Sequence, residues 1–248
     1  MTWWTWCFLA GAAFAAGLLN AVAGGGSFLT FPALVLAGVP PIPANATSAV
    51  ALSPGYLGSV AGFRAELRTL PRSRLAGQAL ASGLGGVIGA LLLLATPTRL
   101  FTRVVPWLVL FATVLFAAGP SRARPRQAAG GGRPWARDLG ILPIAVYGGY
   151  FNGGLGYLLL AHSTLTGETD LNRANALKNL NSLMLSLTSV AAFICAGAVR
   201  WPQALVMMAA AAAGGFFGAR LARRLPAALV RGIIVATGLV MAVILFRK

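Results

Sequence analysis

The residues of this sequence that could do chemistry are polar side chains beside two glycine clusters inside apolar stretches. The first stretch is NAVAGGGSFLTF (20–31), and the second is YFNGGLGYLLL (150–160). Glycine allows unusual backbone angles and lets a ligand approach the backbone closely. A helix that restarts after such a break, from Ser27 and from Tyr157, presents free N–H groups and the positive end of its dipole, which attract anions. The pattern therefore predicts an anion-binding site, with close packing of helices at the small residues as the alternative.

Groups for catalysis or metal binding are sparse. The chain has one histidine, two cysteines and four acidic residues. It contains no HExxH motif, and no apolar span holds a pair of carboxylates that could share acid and base roles. Cys7 and Cys195 stand alone in apolar runs, which is typical of buried, inert thiols. We therefore expect no enzymatic activity, no cofactor and no metal. His162 is interpreted as a hydrogen-bonded packing residue, with a proton-handling role as the alternative.

The composition places the chain in a membrane. Hydrophobic residues make up 58% of the 248 residues and charged residues 10%, whereas a soluble domain carries about 25% charged residues. The sequence predicts an all-α polytopic protein, because the apolar runs are rich in Ala, Leu and Gly and are close to bilayer length. A first helix anchored by Trp3, Trp4 and Trp6 is favoured over a cleavable signal peptide. The longest runs cover residues 75–95, 104–119, 180–199, 203–219 and 227–246.

The net charge of +16 comes from arginines between the apolar runs. They concentrate at 64–74, 122–137 and 220–226. Short basic loops stay in the cytoplasm, so these three segments are predicted to lie inside the cell. The excess charge thus indicates a lipid bilayer as partner and no nucleic acid.

The two halves of the chain predict an internal repeat. ANAT (44–47) recurs as ANAL (174–177), and LGGVIGALL (84–92) recurs as AGGFFGARL (213–221). The matches keep an almost constant offset of 129 to 131 residues, as expected for duplicated units. The predicted organisation is a first repeat at 1–118, a basic cytoplasmic linker at 119–138 and a second repeat at 139–248. Each repeat has about four helical segments, broken or re-entrant at the glycines.

The loop charges favour inverted repeats. The strongly basic loop 64–74 corresponds to 197–203, which holds only Arg200, so equivalent loops lie on opposite faces. Because 122–137 and 220–226 are both placed inside, residues 139–168 must enter and leave the membrane by the same face. A full crossing there, which would give parallel repeats, is the alternative.

A polar stripe follows the second glycine cluster. Asn175, Asn179, Ser182, Ser186 and Ser189 recur at spacings of 4, 3, 4 and 3, and polar groups in a membrane helix usually mark an interior pathway. Lys178 lies beside the stripe, either facing the pathway or snorkelling to an interface. By contrast, the GGxxG spacing of the other glycines favours close helix packing. These glycines are Gly85, Gly86 and Gly89, and Gly214, Gly215 and Gly218.

The two signature stretches, AVAGGGSFLTFPALVLAGVPPIPANATSAVALSPGYLGS and YGGYFNGGLGYLLLAHSTLTGETDLNRANALKNLNSL, resemble those of the TauE/SafE sulfite exporter family. The resemblance implies a multi-pass permease of the bacterial plasma (inner) membrane for sulfite, organosulfonates or related anions. It leaves a homodimer open. The substrate-binding candidates are Gly24, Gly25, Gly26, Ser27, Asn45, Thr47, Asn152, Gly153, Gly154, Asn175, Lys178 and Asn179.

The sequence also favours a direction of transport. Because no carboxylate lies within an apolar span, the chain lacks the buried acid of many proton-coupled carriers. The membrane potential then favours expulsion of an anion, so export by uniport is predicted. The alternative is an importer of sulfonates or related anions coupled to protons or sodium.

Overall fold

The protein is described by a computed structural model over residues 2–23, 25–118, 138–221 and 227–246. Eleven α-helices lie within these ranges, and no strand occurs in them. The helices are α1 (Trp3–Ala23), α2 (Ser27–Leu36), α3 (Pro41–Gly62), α4 (Arg64–Arg68), α5 (Arg72–Ala95), α6 (Thr98–Ala118), α7 (Ile141–Tyr150), α8 (Leu155–Leu165), α9 (Leu171–Cys195), α10 (Trp201–Leu221) and α11 (Ala227–Phe246).

The helices present the outer surface of a membrane protein. Within the described chain, α5, α9 and the first 18 residues of α6 are long and apolar enough to span a bilayer. Large apolar side chains face outward; Leu80 is 68% exposed and Trp107 is 62% exposed. Such exposure is expected where lipid rather than water is the solvent. The predicted all-α membrane class is confirmed.

One detail of the sequence interpretation is wrong. Cys7 and Cys195 are exposed rather than buried, because a membrane helix can be as apolar on its outward face as on its inward face. Helix α9 begins at Leu171 and includes the whole polar stripe from Asn175 to Ser189 as well as most of the apolar run that begins at 180. Its first turns are polar yet helical, and Asp170 caps them by accepting hydrogen bonds from the N–H groups of Asn172 and Arg173.

Helical structure is interrupted at both glycine clusters. In the first half, α1 ends at Ala23 and α2 begins at Ser27, where the sequence predicted the restart. In the second half, α7 ends at Tyr150 and α8 begins at Leu155, two residues before the predicted Tyr157. The earlier start arises because Gly154 caps α8 with a φ of 78°, a left-handed conformation that glycine adopts without steric cost.

Helices from the two halves pack against one another. Helix α1 packs along α10, α7 packs along α5, and α3 contacts α9. Glycines permit the close approach: a Cβ atom added at Gly85 would lie 2.9 Å from the Leu142 carbonyl oxygen, and one added at Gly86 would lie 2.7 Å from the Leu185 carbonyl oxygen. The packing interpretation of the GGxxG glycines is therefore confirmed at these positions.

Both ends of the segment 138–168 lie at the start of α5. A Cβ atom at Gly77 would lie 2.8 Å from a carboxylate oxygen of Asp138. At the other end of the segment, Arg74 forms an ion pair of 2.9 Å with Glu168. The segment thus leaves and returns at one end of α5. The inverted repeats and their boundaries stay predictions, and the linker residues 119–137 lie outside the described residues.

The close packing at Gly85 leads to a testable prediction about the stability of the protein. We expect Gly85→Ala to lower the thermal unfolding midpoint of the purified protein, because overpacking costs about 1–3 kcal/mol. Gly11→Ala is the matched control, since Gly11 also lies within a helix but has no atom within 4 Å of the added Cβ. Equal midpoints for the two variants would refute close packing at Gly85.

Candidate functional site

The two glycine breaks meet inside the protein. The Ser27 hydroxyl at the start of α2 donates a hydrogen bond of 3.0 Å to the backbone carbonyl of Asn152, which precedes α8. Ser27 is 7% exposed and Asn152 is 6% exposed. The N-termini of two short helices from different halves of the chain are thereby joined in a buried position.

Backbone donors are available at this junction. Neither α2 nor α8 has a side-chain cap at its N-terminus. The N–H group of Phe28 bonds to the Gly25 carbonyl, and that of Tyr157 bonds to the Gly154 carbonyl. The N–H group of Leu155 has no backbone acceptor among the described residues. Free N–H groups at a helix N-terminus are suited to an anion.

Side chains complete the polar junction. The Asn152 Oδ1 atom is buried and has no hydrogen-bond partner among the described residues. The Tyr56 side chain of α3 interacts with the side chains of Asn152 and Asn20, and the Tyr147 hydroxyl donates a hydrogen bond of 2.7 Å to the Gly153 carbonyl. The unpartnered Asn152 Oδ1 atom is an acceptor, so a water molecule or a ligand group that donates a hydrogen bond would relieve its cost, whereas the oxygens of an anion would not.

The first-half candidates on α3 bind other parts of the chain. Asn45 Nδ2 donates a hydrogen bond of 3.1 Å to the Tyr150 carbonyl, so Asn45 ties α3 to the end of α7 beside the second break. Thr47 Oγ1 accepts a hydrogen bond of 3.0 Å from the N–H group of Arg200. Thr47 therefore links α3 to the start of α10 rather than to the junction.

The second-half candidates on α9 are arranged differently. Asn175 is partly exposed, and its Nδ2 donates to the carbonyl of Leu171 in its own helix. Lys178 and Asn179 are 4% and 6% exposed, and neither forms an ion pair or hydrogen bond with a described residue. Lys178 is thus a buried cation without a described counter-charge.

The glycine candidates differ in their surroundings. Gly24 lies outside the described residues. Gly25 and Gly26 are buried, and a Cβ atom at Gly26 would lie 2.9 Å from the Ala16 carbonyl oxygen. A Cβ atom at Gly154 would lie 2.9 Å from that of Ala112. Any larger side chain at Gly26 or Gly154 would therefore clash with a neighbouring helix.

Sequence reasoning missed three polar residues near these candidates. Asn20, one turn before the first glycine cluster, interacts with Tyr56. Asn181 Nδ2 donates a hydrogen bond of 3.1 Å to Gln78 Oε1, and both residues are 1% exposed. The signal for Asn20 was present, because an asparagine in an apolar helix is as unusual as the glycines that follow it.

No group of three or more His, Cys, Asp or Glu side chains in the described residues could hold a metal ion. Two of the acidic residues lie next to the start of α9, where Glu168 pairs with Arg74 and Asp170 caps the helix, and none of the four is among the described residues of the junction. The buried polar groups of the junction are therefore neutral, and Lys178 adds a buried positive charge.

Comparisons with known proteins define first the class and then the family. The chain is 29% identical over 240 residues to the probable membrane transporter protein ORF9 of Sinorhizobium sp, covering 95% of this chain and 90% of that protein. It is 30% identical over 233 residues to the probable membrane transporter protein YfcA of Escherichia coli K12, covering 91% and 84%. These similarities and the fold indicate a multi-pass membrane transporter.

The family model of the sulfite exporter TauE/SafE matches residues 9–245. The chain therefore belongs to the TauE/SafE family, as the resemblance in the sequence predicted. No solved structure matches the chain significantly.

The different hydrogen-bond partners of Asn45 and Asn175 lead to a prediction about anion flux. We expect Asn45→Ala to reduce the initial rate of anion flux by about tenfold, because it removes the part-buried hydrogen bond that holds the end of α7 beside the second break, a loss of about 0.5–1.5 kcal/mol. Asn175→Ala is the matched control, since Asn175 bonds only to its own helix. Both rates are measured in proteoliposomes, and a larger loss for Asn175→Ala would contradict the assignment.

Proposed function

We propose that this protein exports small sulfur-containing anions, sulfite or organosulfonates, across the bacterial inner membrane. The observation that carries the proposal is the buried hydrogen bond between Ser27 and Asn152, which joins the N-termini of α2 and α8. In this proposal the anion lies at that junction and accepts hydrogen bonds from backbone N–H groups.

The electrostatics of the interior favour an anion over a cation. Lys178 is buried without a described counter-charge, and the four acidic residues lie in the short helix α4 or in the segments that precede α7 and α9. Burying an unpaired ammonium group is unfavourable, so an anion that binds nearby would relieve the cost. Sulfite and sulfonate groups present several oxygen acceptors and suit several N–H donors at once.

The direction follows from charge and the membrane potential. Moving one charge through 100 mV is worth about 2.3 kcal/mol, so expelling a dianion from a negative interior gains roughly twice that amount. Uptake would have to overcome the same free energy. Export therefore needs no coupling ion.

The test is flux across a panel of anions in proteoliposomes. We expect protein-dependent efflux of sulfite and of alkylsulfonates that exceeds the efflux of phosphate and chloride. Protein-free vesicles measure leak, and vesicles holding Gly154→Ala measure any flux that does not need the junction. Flux of phosphate or chloride at the same rate, or flux that persists in Gly154→Ala, would overturn the proposed substrate class or the proposed site.

A further inference from the structure

A crevice between α1, α3 and α10 shares only Asn20 with the polar side chains described above. Its volume is about 590 Å³, and its lining includes Gly17 and Asn20 of α1, Gly55 and Ser59 of α3, and Ala211 and Gly215 of α10. It follows α3 from Leu52 to Phe63, a length of about 16 Å at 1.5 Å per residue.

The deep end of the crevice is connected to the junction by side chains. Asn20 lines the crevice, and its side chain interacts with Tyr56. Tyr56 is 7% exposed and also interacts with Asn152, whose carbonyl accepts the hydrogen bond from Ser27. Tyr56 therefore stands between the crevice and the buried junction.

The end of the crevice at Phe63 lies next to a short basic helix. Phe63 lines the crevice, and α4 begins at the next residue and carries the exposed Arg64 and Arg68, with the less exposed Glu66 between them. The described residues that line the crevice include no charged side chain, so the charge beside it comes from two arginines against one glutamate. An excess of one sign of charge at the mouth of a cleft raises the local concentration of the opposite ion.

We propose that this crevice is the vestibule through which a small hydrated anion reaches the junction from the arginine-rich face, and that Tyr56 is the positioning residue at its inner end. The inference rests on the proposed function for its ligand class. The glycine-rich wall supplies width for an anion with its water, and the Asn20 and Tyr56 side chains supply the first polar contacts beyond it.

Charge-selective labelling tests the vestibule. In a Cys7→Ser/Cys195→Ser background, the Ser59→Cys variant is treated with the anionic sulfonatoethyl methanethiosulfonate and the cationic trimethylammonioethyl methanethiosulfonate. Ala196→Cys, at the exposed C-terminal cap of α9, is the control. We expect the anionic-to-cationic rate ratio for Ser59→Cys to exceed that of the control by about tenfold and to fall at high salt.

The source of this preference is tested by Arg64→Gln/Arg68→Gln, which should bring the ratio close to that of the control. Methanesulfonate should slow labelling of Ser59→Cys without affecting Ala196→Cys; it replaces sulfite, which would consume the reagent. Gly58→Cys repeats the measurement at a position where an added Cβ has no atom within 4 Å. A ratio equal to the control in both crevice variants would overturn the vestibule.

Tyr56→Phe tests the inner end. We expect the half-saturating sulfonate concentration for flux to rise about tenfold through loss of a hydrogen bond, while the thermal midpoint and the Ser59→Cys labelling ratio stay unchanged. An unchanged half-saturating concentration would show that the Tyr56 hydroxyl does not contact the anion on its pathway. Charge-selective labelling without sulfur-anion flux would contradict the proposed function and support the vestibule. Flux without selective labelling would contradict the vestibule and support the proposed function.

Discussion

Gly154→Ala is expected to reduce anion flux by about tenfold or more, while Gly197→Ala leaves it close to the wild-type rate. Both glycines have positive φ angles, 78° and 64°, so both alanine variants bear a left-handed strain of about 1–2 kcal/mol. They differ in their neighbours, because the added Cβ at Gly154 meets Ala112 at 2.9 Å and that at Gly197 has nothing within 4 Å. Only Gly154→Ala must therefore shift the start of α8.

The expected loss of flux is large because the shift moves several donors together. Losing two hydrogen bonds to the anion, each worth about 0.5–1.5 kcal/mol, reduces occupancy by about tenfold or more. Initial flux rates are normalised to the amount of protein in the membrane, and thermal midpoints show that both variants fold. Equal rates for the two variants would mean that the junction at Asn152 and Gly154 does not bind the anion.

Lys178→Met is expected to weaken dianion binding by about 10-fold to 100-fold, the value of one charge-assisted hydrogen bond. The effect on a monoanion such as methanesulfonate should be smaller than on sulfite at alkaline pH, because the lost attraction scales with the ligand charge. The thermal midpoint of the empty protein should not fall and can rise, since the variant removes a buried cation without a described counter-charge.

Two variants control for charge and for shape. Arg173→Gln removes a positive charge from the same helix at a side chain that is 43% exposed and pairs with Asp170, and it should leave the dianion preference intact. Lys178→Arg should retain part of the dianion affinity. If Lys178→Met weakens dianion and monoanion equally, or neither, then the Lys178 side chain does not face the anion.

The sequence predicts those features of the fold that depend on the local pattern of residue types. The apolar runs predict the helical membrane class, and the glycines before Ser27 predict where α2 begins. The GGxxG spacing predicts close helix packing, and the positions of Gly85 and Gly86 against α7 and α9 confirm it. In each case, the helix start or the close packing depends on side-chain size and on the backbone angles that a residue type allows, and both can be inferred from the sequence.

The features that depend on tertiary partners were not predictable. Asn45 and Asn175 stand at the same position of the similar segments ANAT and ANAL, yet Asn45 donates a hydrogen bond to Tyr150 in the other half of the chain while Asn175 bonds to its own helix. The outward position of Cys195 follows from the rotation of α9 against its neighbours, which an apolar run does not specify. The role of Tyr56 between Asn20 and Asn152 likewise depends on how three helices meet.

The most direct test of anion export is voltage-driven efflux. Proteoliposomes are loaded with radiolabelled sulfite or alkylsulfonate, and potassium with valinomycin imposes potentials that are increasingly negative inside. The predicted result is faster efflux at each step, no requirement for a pH or sodium gradient, and loss of the voltage-driven efflux in Gly154→Ala. Efflux that is indifferent to voltage but follows an imposed proton or sodium gradient would contradict voltage-driven export and identify a coupled carrier.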